Sequence, residues 1–189
     1  SKDPDKQRKI DETIKKCART YSNQISLMQQ YPEFKFVQSS ACHSDMILKH
    51  YPELFEGIRE KVREGRYEPN GAVWVECDCN ITSGESMIRQ FLWGQRFTDK
   101  YFGYRSDAFW LPDTFGYSAS IPQIMKGCGV DYFLTTKINW NDTNAFPYNT
   151  FYWQGIDGTK VFSHFNTTHT WPDVRELRES LTDGDRKKD

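Results

Sequence analysis

The sequence predicts an α/β fold, a mostly parallel sheet wrapped by helices, on three grounds. Short apolar runs of strand length alternate with longer segments of helical periodicity, the links between them are short, and no internal repeat or low-complexity linker interrupts the order. At 189 residues and 22.3 kDa the chain can hold one sizeable core and is too short for two domains of ordinary size.

Residues 5–30 place Ile10, Ile14, Cys17, Tyr21, Ile25 and Met28 three or four apart, which predicts a helix with one buried face that stops at Tyr31-Pro32. The alternation FKFVQ at 34–38 predicts a strand. Helical periodicity returns from His43, and Pro52 starts a charged helix that ends near Gly65. GAVWVECD at 71–78 reads as a second strand. Segment 83–103 opens on a capping Ser83 and repeats Met87, Ile88, Phe91, Leu92 and Gln95 at helical spacing. AFWLP is then a strand, ASIPQIMKGCG a helix closed by glycines and DYFLTT another strand. FYWQ and KVFSHF flank GIDG, which predicts a turn or hairpin, and WPDVRELRESLTDGDRKKD reads as a last amphipathic helix.

Composition excludes several function classes. A net charge of −1 and a pI near 6.4 provide no basic field for nucleic acid or anionic lipid. No stretch approaches the roughly 20 apolar residues of a membrane span, and the polar start SKDPDKQRKID is unlike a signal peptide. A soluble chain with no membrane partner is expected. Cys17, Cys42, Cys77, Cys79 and Cys128 are odd in number and irregular in spacing, which argues against a disulfide framework and for a reducing, cytoplasmic location. The spacing of Cys42-His43 and Cys77-x-Cys79 does not match a structural zinc site, and Cys77 and Cys79 on one face of an extended segment suit core packing. Aromatic residues reach 15% at a mean hydropathy of −0.78, a surplus that suits either a ring-stacking site or a ring-filled core.

In sheets of this kind ligands bind at the carboxyl ends of the strands. Asp78 follows VWVE, Asp113 follows AFWLP, Lys137 follows DYFLTT and His164 ends KVFSH, so all four are expected on one rim. Phe115, Tyr117 and Trp140 join them, with Trp74 and Trp110 as further candidates. Carboxylates, a cation and rings around one mouth suggest a carbohydrate site. By local pattern alone Asp113 is either a catalytic carboxylate or the turn residue of a P-D-x-x-G sequence. Lys137 is either a solvated loop lysine or the partner of Asp113, and His164 is either a site residue or a satisfied, half-buried histidine.

FWLPDTFGYSASIPQIMKGCGVDYFLTTKINWN, followed by FPYNTFYWQGIDGTKVFSHF, resembles the catalytic domain of family 38 glycoside hydrolases, the zinc-dependent α-mannosidases, and most of all their cytosolic, vacuolar and bacterial branch. The likeness extends upstream through GRYEPNGAVWVECDCNITSGESMIRQFLWGQRF and covers roughly residues 30–168. It implies that residues 1–189 are an incomplete N-terminal catalytic domain, part of a seven-stranded β/α barrel with parallel strands and surrounding helices. It also implies retaining hydrolysis of terminal α-mannosidic linkages, with Asp113 as the nucleophile and as a Zn2+ ligand through its second oxygen. Lys137 takes the place of a cation that contacts the nucleophile, Phe115 lines the sugar subsite and Asp78 borders the pocket; Tyr117, Trp140 and His164 are further substrate-binding candidates.

The family's His-x-His-x-D segment, its general acid and its last zinc histidine have no counterpart in these residues, so the resemblance implies that the 189 residues alone are inactive. A mannose-containing oligosaccharide is the expected partner, with homo-oligomerisation through a longer chain. Two other readings stand beside this one. A metal-dependent deacetylase would want a local Asp-Asp with a His-x₃-His pair, which the chain lacks. A non-catalytic carbohydrate-binding or assembly module would not need Asp113.

Overall fold

Asp3 starts the first helix by accepting hydrogen bonds from the Asp5 and Lys6 backbone N–H groups, with Pro4 at the first helical position. The computed structural model describes residues 3–139, 143 and 146–166. Helix α1 (Pro4–Gln30) buries Ile14, Ala18, Tyr21 and Met28 on one stripe and leaves Ile10 exposed. It ends at Tyr31, where Pro32 forbids continuation. Strand β1 (Phe36–Val37) pairs in parallel with β2 (Tyr67–Glu68), and helices α2 (Ala41–His50) and α3 (Pro52–Arg63) lie between them in the chain. Tyr21, Ile47, Phe55, Ile58, Tyr67 and Phe97 form the core of this part.

Helix α4 (Gly84–Phe102) starts on Ser83, whose hydroxyl accepts from Ser86 N–H, and stops at Gly103, which takes φ 63°. It joins two cores: Phe97 belongs to the first, while Met87 and Phe91 belong to a second. Ile88 and Leu92, read from spacing as part of the buried stripe, are exposed, whereas Gly94, Gln95 and Thr98 are buried. The packed stripe is thus rotated toward small and polar residues. Gly94 permits this, because a Cβ there would meet Val73 and stand 2.6 Å from the Ala72 carbonyl oxygen.

The second core lies under a four-stranded sheet of order β3-β4-β6-β5. Strands β3 (Ala108–Trp110), β4 (Tyr132–Thr135) and β6 (Lys160–Phe165) run parallel; β5 (Thr150–Gln154) is antiparallel to β6, as the predicted hairpin requires. Helix α5 (Ile121–Gly127) connects β3 to β4. Phe109, Phe133 and Val161 on the three parallel strands pack with Phe91, Ile121 and Met125, all essentially excluded from water. The Phe91 and Phe109 rings meet edge to face at 4.9 Å, and each such burial contributes about 2–3 kcal/mol.

One strand read from the sequence does not form. Residues 71–78 make a single bridge, Ser40 to Val73, and no ladder. Gly71 and Ala72 both take positive φ, and the backbone beyond them bonds to helices instead of a strand. The carbonyls of Val73 and Trp74 accept from Ala41 and Cys42 N–H at the start of α2, and Trp74 N–H donates to the Gln90 carbonyl of α4. The amphipathic helix read over the last residues, and Trp140, lie outside the described residues. All five cysteines carry free thiols, with Cys77 and Cys79 buried in the second core. Among the described residues no helix is long and apolar enough to cross a membrane.

Candidate active site

Strands β3 and β4 are neighbours in register, Ala108 beside Tyr132 and Trp110 beside Leu134, so the segments that leave them emerge at one edge of the sheet. The segment after β3 is tied to the end of β4. Leu111 N–H donates to the Leu134 carbonyl at 2.9 Å, and the Thr136 hydroxyl donates to the Pro112 carbonyl at 2.6 Å. Asp113 is therefore positioned by the two residues that precede it.

Lys137 begins the 3₁₀ turn Lys137–Asn139 after β4, and its Nζ lies 2.9 Å from Asp113 Oδ1. The two partners are unequally placed: the lysine side chain is 6% exposed and the aspartate 64%. With one end in water the pair contributes about 0–1 kcal/mol to stability, so its effect is to hold a carboxylate in a fixed place. Phe115 lies over the same cation, its ring centroid 5.1 Å from Lys137 Nζ, and is itself 67% exposed. A ring that remains this exposed while resting on an ammonium presents a flat apolar face at the mouth.

Gly116 and Tyr117 fix the turn. Gly116 takes φ 101°, a conformation glycine alone adopts without strain, and a Cβ there would collide with the Asn80 side-chain amide. Tyr117 Oη reaches the Thr114 carbonyl at 2.9 Å and the Leu111 carbonyl at 3.3 Å, and also bonds the Thr135 hydroxyl. A phenol has one proton, so Tyr117 donates to the carbonyls and accepts from Thr135. Its ring meets Phe133 edge to face at 5.1 Å. Burial first, with the charges of Cys79 and Asp113 adding to it, pushes the Tyr117 phenol up to about 12. The tyrosine is a half-buried brace of the Asp113 turn.

Asp78 adjoins this turn from the next segment. Cys79 bridges Tyr117 in parallel fashion, and the Asn80 amide donates to the Phe115 carbonyl at 3.2 Å. The Asp78 carboxylate accepts from Ile81 and Asn80 N–H, and these two bonds hold it below the usual carboxylate range.

The structure thus brings Asp113, Lys137, Phe115 and Tyr117 together, with Asp78 in the adjoining loop. His164 is set apart. It lies at the same end of the sheet, but alternation along β6 gives Val161, Ser163 and Phe165 to the core and His164 to the other face, where its Nδ1 lies 2.8 Å from the Thr150 hydroxyl. Trp74 does not reach the mouth either, since it packs edge to face on Phe97 in the first core. Thr135, Thr136 and Asn80, which hold the turn, were not singled out from the sequence; the paired hydroxyl residues ending DYFLTT are the signal for the first two.

The Asp113 side chain is 64% exposed, and a carboxylate so placed has the donor chemistry that a metal takes. Among the described residues no three His, Cys, Asp or Glu side chains converge to hold a metal ion.

The profile of the glycosyl hydrolases family 38 N-terminal domain matches residues 3–187. Alpha-mannosidase G of Dictyostelium discoideum is 48% identical over 180 residues, 95% of this chain and 17% of that protein. Human Alpha-mannosidase 2C1 is 49% identical over 154 residues, 82% of this chain and 15% of that protein. The chain therefore spans about a sixth of the length of the curated relatives it matches. The crystal structure of an alpha-mannosidase from Enterococcus faecalis V583 superposes with a TM-score of 0.72 at 21% identity over 92% of this chain and 21% of that one, a likeness of fold. By its sequence the chain belongs to glycosyl hydrolase family 38, within the N-terminal domain of that family.

Proposed function

We propose that this chain is part of a retaining α-mannosidase in which Asp113 is the nucleophile. The observation that carries the reading is the water-facing Asp113 carboxylate held 2.9 Å from the buried Lys137 ammonium under the exposed Phe115 ring, in a chain of this family. In the first step one oxygen of the Asp113 carboxylate attacks the anomeric carbon of a terminal mannose, the bond to the leaving oxygen breaks, and a carboxylic acid outside the described site gives that oxygen its proton. In the second, water attacks the glycosyl ester, its proton returns to that acid, and Asp113 leaves with the electron pair; two inversions give net retention. Lys137 keeps the carboxylate in line, and Phe115 excludes water and contacts the sugar.

Zinc, when bound, would polarise mannose hydroxyls and fix the nucleophile, with Asp113 as this chain's contribution to its ligands. Asp78 borders the subsite through the Asn80–Phe115 contact, Tyr117 braces it, and Trp140 is a proposed outer contact to substrate, a role that His164, on the other face of β6, does not share. The β1-β2 pair and the β3-β4-β6-β5 sheet are read as part of a seven-stranded β/α barrel completed elsewhere in a longer polypeptide, so residues 1–189 alone would not turn over substrate. Mannose-containing oligosaccharides are the proposed substrates. Five free thiols favour a cytoplasmic location, and a longer chain is the proposed route to any homo-oligomer.

The test is to incubate the full polypeptide and zinc with a fluorinated α-mannosyl fluoride that slows breakdown of the intermediate, then digest it and locate the label by mass spectrometry. A mannosyl adduct on the peptide holding Asp113 is expected. A folded, zinc-loaded protein that takes no label there removes Asp113 from the role and favours the sugar-binding module.

A further inference from the structure

A second polar group lies beyond the end of β1, and the mechanism above does not use it. Gln38 is buried, and its Nε2 donates to the Ser40 carbonyl at 2.9 Å while lying 3.2 Å from His43 Nδ1. An amide NH₂ can only donate, so Nδ1 accepts and the imidazole proton resides on Nε2. Burial holds His43 below its usual range, against the opposing charge of Glu76. The Gln38 contact thus leaves Nε2 as the nitrogen through which the ring donates.

Glu76 supplies the matching acceptor. Its Oε1 accepts from the Ser39 hydroxyl, its backbone N–H donates to Ser40 Oγ at 3.2 Å, and Oε2 accepts no bond from a described residue. The residue is exposed, yet it is held at both its side chain and its backbone. Surface glutamates ordinarily move freely, so a carboxylate fixed in this way loses less entropy when it binds a ligand. His43 and Glu76 both hold to segment 38–40, and an N–H donor with a carboxylate acceptor is the pairing that two neighbouring sugar hydroxyls satisfy, one donating and one accepting. The group also adjoins the Asp113 turn through its own segment, since Cys79 bridges to Tyr117 and the Asn80 amide donates to the Phe115 carbonyl.

We propose that Glu76, His43 and Ser39 form a second sugar-hydroxyl subsite, which takes the monosaccharide unit adjoining the ring that Asp113 attacks. The position of that unit rests on the mannosidase reading; the capacity to bind a diol does not.

The test uses the full-length, zinc-loaded polypeptide and compares an aryl α-mannoside, which has one sugar, with α1,2-, α1,3- and α1,6-linked mannobioses. Glu76→Ala should lower kcat/KM for at least one mannobiose about tenfold more than for the aryl mannoside, the scale of one lost charge-assisted hydrogen bond, and Glu76→Gln should recover part of it. In parallel, calorimetric titration of Asp113→Asn protein with mannobiose should weaken by a similar factor when Glu76→Ala is added. Equal losses on the aryl mannoside and the mannobioses, or no loss on any, overturn the subsite and leave the mannosidase reading intact. A wild type that hydrolyses no mannoside, but whose mannobiose binding depends on Glu76, overturns the mannosidase reading and keeps the subsite. A wild type that binds no mannobiose overturns the subsite.

Discussion

Lys137 Nζ stands 2.9 Å from Asp113 Oδ1 across the ends of two neighbouring parallel strands, the lysine enclosed and the carboxylate open to water. The arrangement separates two duties: the cation is part of the scaffold, while the anion faces whatever enters the mouth.

Asp113→Asn in the full polypeptide keeps the shape of the turn and removes the attacking charge. We expect kcat to fall by at least about a thousandfold with KM changed far less, the pattern of a group that acts in the transition state. Steady-state kinetics on an aryl α-mannoside measures both, and a loss confined to KM would make Asp113 a binding residue.

Lys137→Met leaves Asp113 unoriented but fills the same space. A decrease in kcat of about a hundredfold is expected, while the thermal midpoint moves by only a few degrees because the carboxylate is already solvated. Lys137→Arg should fall between, since a planar fork does not reproduce a compact point charge. Unfolding scans beside the kinetics decide this; a collapse of the midpoint in the Met variant would show the lysine to be structural.

Gly94→Ala tests how α4 seats on residues 72–73. In an exposed helix this exchange stabilises by about 1 kcal/mol, but here the added carbon meets the Ala72 carbonyl oxygen at 2.6 Å, so a net loss of about 1–3 kcal/mol is expected in denaturant unfolding. Gly116→Ala should instead displace the Asp113 turn and reduce kcat more than stability, because φ 101° and the Asn80 amide both oppose a side chain there.

Alkaline stability should register Tyr117. Its phenol ionises at 10.0 when unconstrained and near 12 in the fold, so between these values the unfolded chain binds fewer protons and stability falls as pH rises. Tyr21 and Tyr104 are raised by burial and add to the same slope. Tyr117→Phe removes one titrating group, and unfolding midpoints measured from pH 9 to 12 should decline less steeply; an unchanged slope would count against a raised Tyr117.

Much of this was determined by the sequence alone, because the responsible interactions are local. Ser83 and Gly103 bound α4, Pro32 stops α1, and GIDG turns β5 back onto β6, each through backbone geometry set by a few adjacent residues. Asp113 and Lys137 could also be named, since the end of a strand predicts the rim. Tertiary structure decided the rest. The apolar run at 71–78 had the composition of a strand, yet its carbonyls bond to the start of α2 and Trp74 N–H to α4, partners far off in sequence. His164 follows its strand as the rim rule requires, but the face it occupies depends on which side of β6 the core lies. Ser39 and Glu76, 37 positions apart, became a pair only when β1 and the 71–78 segment came side by side, because a hydrogen bond between distant residues is set by register and not by local propensity.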